Sequence, residues 1–201
     1  MIFYSAKDIS SRSCMQIKMF MEHPDLRPKP TELMKLGSIF QDEVAKTYPN
    51  VIGQEMGSTY FLNDMGVSFA VDIVCDDKFI ETKTVVNESD DNTRYLHNCI
   101  FQCAIYKALI LMTEGKLSTA KFYVNLGNDK KYAFISPNND YILRFGNKSY
   151  KIDIDNIEIF SKFIKEKMTA CRDWSTAKQF DSIYKHKEFD IFNKYITFTE
   201  M

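Results

Sequence analysis

Between positions 66 and 86 the chain reads Gly-Val-Ser-Phe-Ala-Val-Asp-Ile-Val-Cys-Asp-Asp-Lys-Phe-Ile-Glu-Thr-Lys-Thr-Val-Val. β-Branched and aromatic residues on both sides of Asp76-Asp77 predict two strands joined at that acidic turn. Side chains two apart on a strand share a face, so Glu81 and Lys83 point one way and Ile80 and Thr82 the other. Pairing that runs outward from the turn, beginning with Cys75 opposite Lys78, sets Asp72 across from Glu81 on the same face. Two carboxylates roughly 5 Å apart repel unless something cationic lies between them. A hard divalent ion meets that need, because magnesium takes oxygen ligands and requires only one or two protein carboxylates beside water and substrate phosphate. A solvated hairpin with a charged polar face gives the same spacing, and spacing alone does not separate the two readings.

Two further stretches stand at matching positions in the chain. Gln102-Cys103-Ala104-Ile105-Tyr106 follows the hairpin, and Gly37-Ser38-Ile39-Phe40-Gln41 precedes it. Together with Asp72 and Glu81-Thr82-Lys83, in this order, they resemble the PD-(D/E)XK nucleases of the RecB-type branch, with its QxxxY signature. At the upstream element Gln41 stands where that branch usually has His. The resemblance spans roughly residues 35 to 125 and implies an α/β fold with a central mixed β-sheet flanked by helices, a restriction-endonuclease-like core.

It also implies a metal-dependent deoxyribonuclease, with a lean toward an exonuclease. Asp72 and Glu81 would hold magnesium or manganese, helped by the Thr82 backbone carbonyl and by the neutral side-chain oxygen of Gln41. Lys83 would serve the attacking water. Gln102 and Tyr106 would either hold the DNA backbone or steady the catalytic strand. The competing implications are a nuclease-fold protein that binds or inhibits without turnover, and a nucleic-acid end-binding subunit of a repair complex.

Composition narrows the setting. With 201 residues and no linker-like tract, one domain over 1–201 is expected. Hydrophobic residues at 45% and aromatics at 14% are those of a folded chain. The apolar run from Ala104 to Met112 contains Lys107 and is too short to span a bilayer, and Met-Ile-Phe-Tyr at the start carries no signal-peptide pattern. A cytoplasmic protein with no membrane partner is the expectation. The net charge of −1 is unlike many DNA-binding proteins, so positive charge at the substrate would come from bound metal or local lysines. Lys29 with Lys35, and Lys178 with Lys185 and Lys187, are candidates, although solvated helix faces give the same pattern.

Relatives in this branch that carry an iron–sulfur cluster use one early and three late cysteines. Here Cys14 has only Cys171 as a late counterpart, and two thiolates cannot make a four-thiolate site, so no iron–sulfur cluster is expected. Cys99 and Cys103, four apart on an expected helix, read as small buried hydrophobes.

In chain order, Ser5 and Asp8 open a helix expected to reach Glu22, and three prolines mark a loop from 24 to 30. A second helix runs from Thr31 to Tyr48 with Gly37 inside it, which costs about 1 kcal/mol relative to Ala and points to a close backbone approach. Strands are expected at 51–56 and 58–62, then the hairpin, then a helix over 92–113 that aligns Tyr95, Asn98, Gln102, Tyr106 and Leu109. A strand from Ala120 and short strands over 132–136, 141–145 and 149–154 follow, separated by turns at 127–129, 137–139 and 146–147. Helices close the chain at 157–171 and 175–188.

Overall fold

The computed structural model describes residues 1–29, 32–76, 78–85, 92–114, 119–126, 132–134, 141–145, 148–184 and 193–200. The expected turns at 127–129, 137–139 and 146–147, and the lysines Lys185 and Lys187, lie outside the described residues. The chain is a mixed α/β structure. Strand β1 (Ile2–Ser5) leads into helices α1 (Ala6–Ser11) and α2 (Cys14–Glu22), and α3 (Glu32–Ala45) precedes the ribbon of β2 (Val51–Leu62), β3 (Met65–Cys75) and β4 (Lys78–Val85). Helix α4 (Asn92–Glu114) crosses to β5 (Thr119–Leu126), followed by β6 (Tyr132–Phe134), β7 (Tyr141–Phe145) and β8 (Lys148–Ile154). Helices α5 (Ile157–Ala170) and α6 (Trp174–Tyr184) and strand β9 (Ile196–Glu200) complete it.

Six strands form the main sheet in the order β1-β3-β4-β5-β6, with β2 paired to β3, and β7-β8-β9 form a separate antiparallel sheet. The main sheet is mixed. Strand β1 runs parallel to β3 and β5 parallel to β4, whereas β2, β4 and β6 run antiparallel to their neighbours. A parallel neighbour needs a crossover, and α4 supplies it between β4 and β5.

Strand β3 organises the site. β2 pairs along one edge of it from Met65 to Cys75, while the other edge is shared by β1 at Met65 to Ser68 and by β4 at Ile73 and Val74. The pairs Ile73 with Ile80 and Val74 with Phe79 have the register expected from a turn at Asp76-Asp77.

Helices cover both faces of this hairpin, because neighbouring residues on β4 enter different cores. Phe79 packs in a large cluster with Ile9 of α1, Ile105 and Leu109 of α4, and Phe160 and Phe163 of α5. Ile80 packs in a smaller cluster with Phe40, Val44 and Ala45 of α3, together with Ile73 and Cys75. Along β3, Val67, Phe69 and Val71 belong to the large cluster, and Ile73 and Cys75 to the small one. Strict alternation would keep Val71 and Ile73 together. The change falls at Asp72. Across the ladder, between the pairs Gln54 with Ile73 and Met56 with Val71, stands Glu55 with φ 51°, a left-handed conformation uncommon for a side chain of this size.

Four elements differ from the sequence reading. The single helix expected up to Glu22 is two, because Ser13 takes an extended conformation and closes a capping box with Gln16, its Oγ accepting from Gln16 N at 3.1 Å and its own N donating to Gln16 Oε1 at 3.2 Å. The two strands expected around Gly57 are one twelve-residue strand. Gly57 stays in the ladder because β3 passes so close that an added Cβ would meet the Phe69 carbonyl oxygen at 2.3 Å. Strands β1 and β9 were not expected, since neither short run is bounded by turn residues on both sides.

Candidate metal and phosphodiester site

Asp72 is held at three points. Its Oδ2 accepts hydrogen bonds from the Thr82 amide at 2.6 Å and the Thr82 hydroxyl at 2.7 Å. Its backbone carbonyl accepts from Gln41 Nε2 at 2.9 Å, reaching down from α3. The first contact explains a local opening of the sheet. In an unbroken antiparallel ladder the Thr82 N–H would donate to the main chain of Val71, but the β3–β4 pairing ends at Ile73 and Ile80, and the Asp72 carboxylate takes the proton instead. The N–H and C=O of one strand residue leave on the same side, so the Thr82 carbonyl also points toward this opening.

Glu81, one residue before Thr82, faces the other way. It is 1% exposed, and its Oε1 accepts from Gln102 Nε2 at 3.2 Å. The second proton of that amide goes to the Tyr106 hydroxyl at 2.8 Å. Gln102 and Tyr106 stand one turn apart on α4, which is why the pair meets. Tyr106 is buried, with the rings of Phe69 and Phe79 both 6.5 Å from its own. Gln102 thus bridges Glu81 and the Tyr106 hydroxyl.

Asp72 thus reaches Thr82 on β4 and Gln41 on α3, while Glu81 reaches Gln102 on α4. Gln41 is 8% exposed and touches the site through the Asp72 backbone, its Nε2 donating to that carbonyl. The Lys83 side chain lies outside the described residues, although its backbone is in β4 opposite Val124 of β5.

The chemistry of the set is uniform. Asp72, Glu81, the Thr82 carbonyl and Gln41 offer oxygen alone, which fits a hard divalent ion such as magnesium or manganese and disfavours softer metals. Among the described residues no three His, Cys, Asp or Glu side chains gather at one point, so such an ion would rely on two carboxylates and neutral oxygens. Beside the Gln102–Tyr106 pair, burial holds the Lys107 ammonium down to a pKa of about 8. In the small core, burial pushes the Tyr48 hydroxyl up to about 12.

The cysteines fall into separate places. Cys14, at the start of α2, and Cys171, just past α5, meet in the interior, where their mutual hydrogen bond and burial push the Cys14 thiol up. Cys14, Cys103 and Cys171 all belong to the large core, and Cys75 lies in the small one. The Cys99 side chain is outside the described residues. Among the described residues no helix is long and apolar enough to cross a membrane.

The contact that sequence reasoning missed is the hydrogen bond from the Thr82 hydroxyl to Asp72. Only the Thr82 backbone carbonyl was expected to matter, because alternation pointed its hydroxyl away from Asp72. No family model matches this sequence, and no curated protein matches it. Among solved structures, the fold is similar to the crystal structure of SSO0001, with a TM-score of 0.52 and 14% identity over 84% of this chain and 76% of that one.

Proposed function

We propose that this chain is a metal-dependent nuclease of the PD-(D/E)XK type, RecB-like branch, with a restriction-endonuclease-like core, acting on DNA phosphodiester bonds and preferring ends. The observation that carries the reading is the hydrogen bond between Glu81 and Gln102, backed by Tyr106. Two segments singled out separately by their resemblance to one family thus meet in one hydrogen-bonded set. In this reading Asp72 and Glu81 hold magnesium or manganese, and Thr82 offers its carbonyl. A bound divalent ion supplies charge neutralisation at the phosphate and acidifies the water that attacks it. Lys83 serves that water, and Gln102 with Tyr106 keeps Glu81 in place.

Purified protein incubated with end-labelled linear and with circular DNA tests this. Label should leave linear DNA with manganese and stay with a chelator, and circles should be spared. Degradation that persists in chelator would remove the metal from the reaction, and loss of circles would make the enzyme an endonuclease. Gln41 favours a second reading, a nuclease-fold binding protein without turnover, because its Nε2 is engaged by the Asp72 carbonyl where the family usually has an imidazole. That protein would retain DNA in a gel shift and cleave none of it.

A further inference from the structure

We infer that Thr82 and Gln41 are positioning residues that clamp Asp72 from its two ends and aim its Oδ1 at the cation; this rests on the nuclease reading above. Asp72 needs such a clamp. On its β4-facing edge, β3 has ladder partners at Met65 to Ser68 and again at Ile73, so the stretch containing Asp72 lies between two neighbours. It also lies at the change from one core to the other, opposite Glu55 in its left-handed conformation. On that edge no ladder pair holds Asp72 itself.

The Thr82 amide and hydroxyl do so. Both donate to the same oxygen, Oδ2, at 2.6 and 2.7 Å, from directions set by the β4 backbone and by a β-branched side chain with restricted χ1. Holding one oxygen twice fixes the carboxylate plane and leaves Oδ1 as the oxygen to meet a cation. Gln41 fixes the other end, donating from the long helix α3 to the Asp72 carbonyl at 2.9 Å. The donors are neutral, so they orient the carboxylate without cancelling its charge. Groups that orient metal ligands in this way typically change metal affinity or activity by about 10- to 100-fold when removed.

Thr82→Val keeps the shape and the amide but deletes the hydroxyl, and Thr82→Ser keeps both donors. Manganese affinity by calorimetry, the melting temperature without metal, and steady-state cleavage should be measured for both and for Gln41→Met. Thr82→Val should bind manganese about 10- to 100-fold more weakly. It should lose kcat with little change in KM for DNA, and Thr82→Ser should recover most of both. Gln41→Met should move in the same direction by a smaller factor, and it decides the matter if Thr82→Val does not fold. Wild-type or tighter manganese binding in Thr82→Val, or failure of Thr82→Ser to recover it, overturns the clamp. If that happens while Asp72→Ala abolishes manganese binding, the nuclease reading survives without the clamp. If wild type and Asp72→Ala bind manganese equally, the reading and the clamp fall together.

Discussion

Two sets of polar groups lie in the interior of this protein, and they are held differently. In the helical layer, Lys167 is fully buried, and its Nζ donates at 2.7 Å to the Ile9 carbonyl near the end of α1. Asp181 of α6 accepts from the Cys14 and Met15 amides at 2.8 and 2.9 Å and so closes the start of α2. Asp8 is ion-paired with Arg12 at 2.7 Å and Arg27 at 3.2 Å, and both guanidinium groups lie over the Phe20 ring. There the charged groups meet opposite charges or the open ends of helices, where dipole and orphan backbone groups complement them.

Beside the sheet, the Asp72 carboxylate accepts from the Thr82 amide and hydroxyl, neutral donors that aim a carboxylate and leave its charge in place. The first arrangement consolidates a fold. The second suits a site for a cation. Substitutions in the two sets should therefore separate stability from activity, and the largest separation comes from the carboxylates. Asp72→Ala, Glu81→Ala and Lys83→Ala should each lower cleavage by at least about a thousandfold, comparable to losing a principal electrostatic group. Circular dichroism should show the folded state retained in each. Near wild-type cleavage in Lys83→Ala would take the chemistry away from this hairpin. For Asp72→Ala a modest loss of stability is also expected, about 1–3 kcal/mol, because the buried Thr82 donors lose their acceptor.

In the helical set the converse should hold. Lys167→Ala removes a fully buried side chain and strips the Ile9 carbonyl of a donor, and should cost about 3 kcal/mol of stability from lost packing and an unmet acceptor. Urea unfolding measures it. Manganese affinity should be unchanged, and a parallel loss of metal binding would couple the two sets and blur the distinction.

How far the sequence shows this division differs between the two halves of the site. Gln102 and Tyr106 are legible because helical spacing brings residues four apart together, whatever the rest of the fold does. The β3–β4 register is legible as well, because pairing counted outward from the expected turn sets Ile73 opposite Ile80, as in the structure. The orientation of Asp72 is not legible. Alternation assumes a regular strand, and this one breaks where two cores compete for β3 and where Glu55 adopts a positive φ. The Ser13 capping box is written in the sequence as Ser-x-x-Gln, but a plausible cap at Ser5 hid it. Asp181 closing a helix 166 residues away from it at Met15 has no local signal at all.

Lys107 gives a third case, a half-buried cation on α4 beside the Gln102–Tyr106 pair, and it predicts a pH dependence. Burial lowers its pKa from 10.5 to about 8 in the folded protein, so the unfolded chain binds more protons between those values. The penalty for holding the ammonium is full below pH 8 and fades as pH rises toward 10.5. At 1.36 kcal/mol per unit it amounts to about 3–4 kcal/mol. Lys107→Met should melt higher than wild type at pH 7, with the gap closing by about pH 10.5. A gap independent of pH would mean that packing, and not charge, sets the difference.

The smallest effect tests the structural set at the start of α2. Asp181 contributes one carboxylate to two backbone amides at the N-terminus of α2, where Ser13 already caps the helix from within. Two devices share one helix end, so removing either leaves the other in place, and Asp181→Ala should cost about 1 kcal/mol, the middle of the range for a lost N-cap. Asp181→Asn keeps an acceptor oxygen and loses the charge that faces the helix dipole, so it should cost about half as much. Ser13→Ala combined with Asp181→Ala should cost more than the two single changes added together, because only the double variant leaves the first turn of α2 without a side-chain acceptor. Thermal melts of the four proteins at low salt measure the coupling. Strict additivity would mean that the two residues, which serve different amides, stabilise the helix end independently, and any loss of manganese affinity in Asp181→Ala would show that the helical layer transmits to the site and that the two sets are one.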